Sequence, residues 1–235
     1  MKKENKSLKE IFAEALQFYQ KEDLENAERF CYKILSINRN HFDSLLLLAG
    51  VFAKRKNFDK AKKLLHQAIE INPKNVSAFH NLGTAYKALG NLKEAINYYN
   101  KAIEIDSNHI NSHYNLGTTF YQVKELKKAK SSFQKVVEMN NKHALAFFGL
   151  ANVHADLKEF ENALSCYQKT IEINPKLIGA HNNLGLTFRA LNDLKNAIIC
   201  YQKVIEMKPD HAGTHHNLAA AFKELGEFEK AIKSH

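Results

Sequence analysis

Apolar residues recur along the chain in pairs of helical stripes. Between residues 76 and 109, Phe79, Leu82, Tyr86 and Leu89 fall three or four apart, on one helix face. Leu92, Ala95, Tyr99, Ala102, Ile103 and Ile105 form a second stripe just after it. The spacing predicts one helix from about Ser77 to Leu89 and another beginning at Leu92. Gly90 suits the left-handed position that ends a helix. Asn91 stands where an N-cap is needed, with Glu94 three residues on, as in a capping box.

The double stripe returns every 34 residues, which marks a repeat array rather than a single core. Six units (8–41, 42–75, 76–109, 110–143, 144–177, 178–211) and a partial seventh (212–235) follow a polar lead at 1–7. Repeat position 20 is alanine in every unit: Ala27, Ala61, Ala95, Ala129, Ala163, Ala197 and Ala231. Position 17 is always bulky, and position 11 is aromatic except at His154, which is expected to be a hydrogen-bonded core residue. Position 24 carries Cys31, Leu65, Tyr99, Phe133, Tyr167 and Tyr201, while the three prolines (Pro73, Pro175, Pro209) share position 32. Proline there stops the second helix, because it lacks a donor and clashes with the preceding turn. A methyl at position 20 lets two helix backbones approach, with the neighbouring aromatic filling the space beside it.

This pattern resembles the tetratricopeptide repeat, from Leu8 to the end of the chain. Phe79, Leu82, Gly83, Tyr86, Ala95, Tyr99 and Ala102 match its signature residues. The resemblance implies an all-α fold: a right-handed superhelical solenoid of stacked antiparallel helix pairs, whose first helices line a concave groove. It also implies a non-enzymatic protein-interaction scaffold that takes an extended peptide or a partner's helix.

The recurring Asn-Leu-Gly is then a mixture of roles. Glycines that cradle phosphate follow a strand and open a helix. Gly83, Gly117 and Gly185 instead lie inside predicted helices, in a slot that Ala151 and Ala219 also fill, so smallness is what they supply. Position 6 holds Asn81, Asn115, Asn183 and Asn217, beside the apolar stripe and toward the groove. An asparagine amide both donates and accepts, so such a column can hold a peptide backbone without reading its side chains. It resembles the asparagine ladder in the repeat region of O-GlcNAc transferases, and it is broken at Gly149. The alternative is that these amides only join neighbouring helices. His80, Thr84, Tyr114, Thr118, Asn152, Asn182 and Arg189 complete the expected peptide-binding set. No unit has the lysine at position 5 that a two-carboxylate clamp requires. Leu46 and Leu47 break the polar pattern in the second unit and should cover either a partner's helix or the chain's own N-terminal segment.

Net charge is +9, but lysine alternates with glutamate, and Lys127, Lys128 and Lys130 fall on the outward helix, so nucleic acid is an unlikely partner. No apolar run reaches the ~18 residues of a membrane span. The start lacks the apolar stretch of a secretory signal. Cys31, Cys166 and Cys200 have no metal or disulfide spacing, and the last two are a helix layer (~10 Å) apart. We read a soluble, cytoplasmic chain without cofactor, metal or catalytic residues. His109/His113 and His211/His215 have the spacing of metal ligands on one helix, but each first histidine sits at position 34, where a helix begins. The seventh unit stops within its second helix. Two further expectations follow: self-association through that end, or a substrate-recruiting role within a larger, glycosyltransferase-like enzyme.

Ala129→Leu should overpack the helix–helix contact and cost about 1–3 kcal/mol in denaturant unfolding. An unchanged midpoint would show that position 20 is not a close contact.

Overall fold

The computed structural model describes residues 6–233. Most of the polar lead, residues 1–5, and the final two residues lie outside the described part. Fourteen helices account for nearly all of the described residues, in antiparallel pairs. The chain divides into two compact units, one ending at Thr119 and one beginning at Phe120.

In the first unit the pairs are α1 (Leu8–Gln20) with α2 (Leu24–Ile37), α3 (Phe42–Lys54) with α4 (Phe58–Ile71), and α5 (Val76–Ala88) with α6 (Leu92–Ile105). α2 also packs on α3 and α4 on α5. α7 (Ile110–Gln122) and α8 (Leu126–Met139) follow. In the second unit α9 (Ala144–Asp156) pairs with α10 (Phe160–Ile173), α11 (Ile178–Ala190) with α12 (Leu194–Met207), and α13 (Ala212–Glu224) with α14 (Phe228–Lys233). No described helix is long and apolar enough to cross a membrane.

The alanine column sits where the pairs close: Ala27, Ala61, Ala95, Ala129, Ala163 and Ala197 have no exposed surface. Leu46 and Leu47 belong to one apolar cluster that also takes in Phe12 and Ala15 of the first helix. Beside the alanines lie the position-24 side chains, and Tyr99, Tyr167 and Tyr201 are almost wholly buried. A Cβ on Gly83 would come within 2.7 Å of the Tyr99 ring, and one on Gly185 within 2.6 Å of the Tyr201 ring. Bare backbone at position 8 is therefore what lets the Tyr99 and Tyr201 rings come this close to the first helix.

The turn within each pair has one residue in the left-handed region. Gly90 and Gly226 take it with φ of 80° and 83°, as expected of Gly90. Glu22, Lys56, Lys124, Lys158 and Asn192 take it as well, at 58–63°. The backbone holds this shape: Asp23, Asn57, Asn91, Glu159, Asp193 and Glu227 each donate an N–H to the carbonyl five residues back. Asn91 makes no side-chain cap, contrary to the capping box expected there, and its turn is closed by the backbone bond alone. Asp23, Asn57 and Asp193 do cap at the same position, and a full capping box pairs Ser7 with Glu10.

Position 34 proves to be an N-cap slot. Nδ1 of His41, His143 and His211 accepts the N–H of Ser44, Ala146 and Thr214, at 3.3, 3.1 and 3.3 Å. His109 accepts from Ser112 in the same way at 3.3 Å. The second histidine of each supposed pair turns back to the preceding turn. Nε2 of His113 lies 2.9 Å from the Ser107 carbonyl and Nε2 of His215 lies 2.7 Å from that of Pro209. His181 makes the same tie to Pro175 at 2.9 Å. These rings fasten the link between repeats, and each points to a backbone group of its own.

His211→Ala should cost about 0.5–2 kcal/mol of stability, and His211→Asn should restore most of it, since asparagine can accept the same N–H. Thermal unfolding of both variants decides whether the ring is a cap; equal losses would say it is not.

Candidate functional site

The first helix of each repeat carries positions 5, 6, 9, 12 and 13 on one face. What that face offers depends on which residues the packing uses. Position 9 lies over the hydroxyl of the position-24 tyrosine of its own repeat. Tyr99 donates to Thr84 Oγ1 at 3.3 Å, and Tyr167 donates to Asn152 Oδ1 at 2.7 Å. In the repeat of Tyr201 that position is Leu186, and the buried Tyr201 hydroxyl has no hydrogen-bond partner among the described residues. Burial, not ionisation chemistry, dominates these rings: the Tyr201 hydroxyl is pushed up to about 12.

The asparagine column is divided by the same geometry. Asn183 Nδ2 donates to Asn152 Oδ1 at 3.0 Å, and Asn217 Nδ2 donates to Asn182 Oδ1 at 3.3 Å. Asn182 Nδ2 in turn donates to Asn183 Oδ1 at 3.2 Å. In the second unit the amides thus join α9, α11 and α13. In the first unit Asn81 is exposed, and Asn115 offers its backbone carbonyl to the Thr118 and Thr119 hydroxyls at 2.9 and 2.6 Å. The break at Gly149 has a steric cause: a Cβ there would come within 2.6 Å of the Phe133 ring.

Other expected contacts are turned inward or paired. His80 is half-buried, its Nδ1 3.1 Å from the Ser112 hydroxyl, which also lies 2.8 Å from Nδ1 of His109. Burial, helped by the neighbouring His109, pulls His80 down to about 4, so the ring is neutral at pH 7. Thr84 and Thr118 point part of their capacity at backbone carbonyls, His80 and Asn115 respectively. Tyr114 is half-buried, which raises its hydroxyl. Arg189 makes a two-pronged ion pair with Glu224, and Lys87 reaches across to the Thr118 hydroxyl. Both basic side chains stand at position 12 and bridge to the next first helix.

Where position 12 is alanine the face dips. In the first unit a depression of 350 Å³ opens around Tyr19, Gly50, Ala53, Lys54, Phe58 and Asn81. In the second unit one of 300 Å³ opens around Tyr121, Asn152, Ala155, Asp156, Phe160, Tyr167 and Asn183. Nine lining residues of one lie 102 positions, three periods, from nine of the other. Tyr19 matches Tyr121, Ala53 matches Ala155, and Asn81 matches Asn183. The three-repeat correspondence was legible in position 12, which reads Tyr-Ala-Lys and then Tyr-Ala-Arg, and in the 102 residues between Pro73 and Pro175.

No cysteine lines either depression. Burial pushes the Cys31 thiol up to about 12 and those of Cys166 and Cys200 up to about 11. His154, the exception to the position-11 aromatics, is buried and bonds Glu159, which Lys130 also approaches at 2.7 Å. Those two partners hold the Glu159 carboxyl below its usual range, Lys130 contributing most.

Family models for the tetratricopeptide repeat match residues 41–142, 144–177 and 179–233. No curated protein matches the sequence. Among solved structures, the chain is similar to YrrB, described as a tetratricopeptide protein with an unusual peptide-binding site. That likeness has a TM-score of 0.70 at 23% identity, over 79% of this chain and 96% of that one. It is also similar to PilF of Pseudomonas aeruginosa (TM-score 0.77, 18% identity, 93% and 96% covered). MamA of Desulfovibrio magneticus RS-1 is a third (TM-score 0.69, 20% identity, 72% and 96% covered). Identities this low establish the shared fold.

Tyr167→Phe should lower stability by about 0.5–1.5 kcal/mol, the usual net worth of a buried hydrogen bond. Tyr201→Phe, which removes an unpartnered hydroxyl, should be neutral or stabilising. Equal losses in denaturant titrations would refute the pairing of positions 24 and 9.

Proposed function

The chain belongs to the tetratricopeptide repeat family, and from that premise we propose that its first-helix face holds an extended peptide segment of a partner protein. Proteins of this fold typically serve as non-catalytic interaction scaffolds, and YrrB has a peptide-binding site by its own description. The observation that carries the proposal is the recurrence of one depression at three-repeat spacing. Two copies of the same arrangement, each floored by a position-24 side chain and rimmed by a position-6 asparagine, suit a ligand that is itself extended and repetitive in backbone.

Within that reading the asparagines divide their work. Asn183 and Asn217 are occupied by the fold, and removing them should cost stability first. Asn81 is exposed on the rim of its depression, free to offer both donor and acceptor to a peptide bond. Asn115 is the next step of the column. The side chains lining the dips, Tyr19, Phe58, Tyr121 and Phe160, supply the apolar surface that a bound side chain would cover.

The test is retention of a random decapeptide library on the immobilised full chain. Wild type should retain peptides, and the double variant Asn81→Ala/Asn115→Ala should retain about tenfold less at unchanged helix content, as expected for two lost hydrogen bonds. Retention that ignores both substitutions, or no retention by wild type, would sink the proposal.

A further inference from the structure

Among the differences between the two equivalent depressions, one reverses sign: their charges are exchanged. In the first unit Lys54 stands at position 13 and Glu22 two positions beyond the first helix of the preceding repeat, 3.3 Å from it. In the second unit the matching residues are Asp156 and Lys124, 3.8 Å apart. The tyrosine between them is common to both. Lys54 lies over the Tyr19 ring at 4.7 Å, and Lys124 over the Tyr121 ring at 5.2 Å. In the second unit a carboxylate also stands beside the tyrosine: burial, with Asp156 close by, pushes the Tyr121 hydroxyl up to about 12.

From this exchange we infer that the depression bounded by Tyr121, Asn152 and Asp156 is a subsite for one basic side chain, lysine or arginine, of the bound peptide. The inference rests on the peptide-binding reading above and names what this part of it selects. Asp156 lines the depression together with Tyr121, so a ligand cation that enters it meets a carboxylate at its wall. Its present cationic neighbour is weakly held: Lys124 is at the edge of ion-pair distance with 74% of its side chain exposed, so an incoming cation displaces little. Asn152 Oδ1 is filled by Tyr167 and Asn183, which leaves Asp156 as the strongest acceptor facing the space. The rings of Tyr121 and Phe160 line the rest and suit both an alkyl stem and the face of a cation. At 300 Å³ the space is at the small end of ligand pockets, enough for a side chain.

The test uses the isotopically labelled full chain and capped single amino acids, so it does not depend on finding the partner. N-acetyl-lysine methylamide, its arginine counterpart and its norleucine counterpart are titrated while the side-chain amide signals of Asn152 and Asn183 are followed by NMR. Lysine and arginine should give saturable shifts with at least about tenfold tighter binding than norleucine, the scale of a charge-assisted hydrogen bond. Asp156→Asn should abolish that preference, and Lys124→Ala, which frees the carboxylate, should strengthen it about two- to fivefold. Signals around Gly50 and Asn81, in the depression that carries Lys54, should show no preference for the basic probes. Norleucine binding as well as lysine, a preference that survives Asp156→Asn, or no saturable shift at all would each overturn the inference. Random peptides retained without basic selectivity would leave the peptide-binding function standing and remove only this subsite. Basic probes bound at Asp156 with no peptide retained would do the reverse.

Discussion

The repeats are organised by the side chain at position 24, an aromatic ring from Tyr99 to Tyr201, which lies against a first helix that carries only glycine or alanine at position 8. The ring at position 24 of the second helix presses on position 8 of the first, where Gly83 and Gly185 leave bare backbone below Tyr99 and Tyr201. That contact draws the two helices of a pair together as closely as the buried alanine at position 20 allows. It also fixes where the ring ends. A hydroxyl carried by that ring arrives under position 9, at the surface of the face that other molecules can reach.

From this placement follows the arrangement of polar groups on the face. A tyrosine hydroxyl that arrives there, largely buried, needs a partner, and the residue above it decides whether it finds one. Thr84 and Asn152 provide one, while Leu186 cannot, and the Tyr201 hydroxyl has no bond among the described residues. The asparagine column obeys the same ring. Where Phe133 replaces tyrosine there is no hydroxyl, and the ring sits so near the next repeat that Gly149 must stand where asparagine otherwise would. The gap in the ladder is thus a packing event, and it divides the column into exposed Asn81 and the inward-bonded Asn183 and Asn217.

The face is not uniform along its length, and position 12 is the reason. Lys87 and Arg189 throw long side chains across to the next repeat, to Thr118 and Glu224, and fill the face there. Ala53 and Ala155 cannot, and the surface dips behind Tyr19 and Tyr121. One small residue in three repeats therefore makes a recess, and the charged residue at its edge gives that recess a sign. Lys54 and Asp156 occupy equivalent places with opposite charge, so a single architecture presents two recesses of opposite sign.

The sequence by itself determined the repeat, the helix pairs and the buried columns, because these rest on periodicity: apolar side chains three and four apart must share a face, and an unvarying alanine marks a close approach. Gly90 in the left-handed turn and the histidines at position 34 were legible for the same reason, each being tied to a fixed place in a local backbone motif. Only the tertiary structure decided which asparagines were already bonded, that His80 turns toward Ser112, and that Arg189 belongs to Glu224. Such partners lie some thirty residues apart in the chain and meet only when one repeat stacks on the next. A column of identical residues says that each faces the same direction; it does not say what the neighbouring repeat has placed there to meet it.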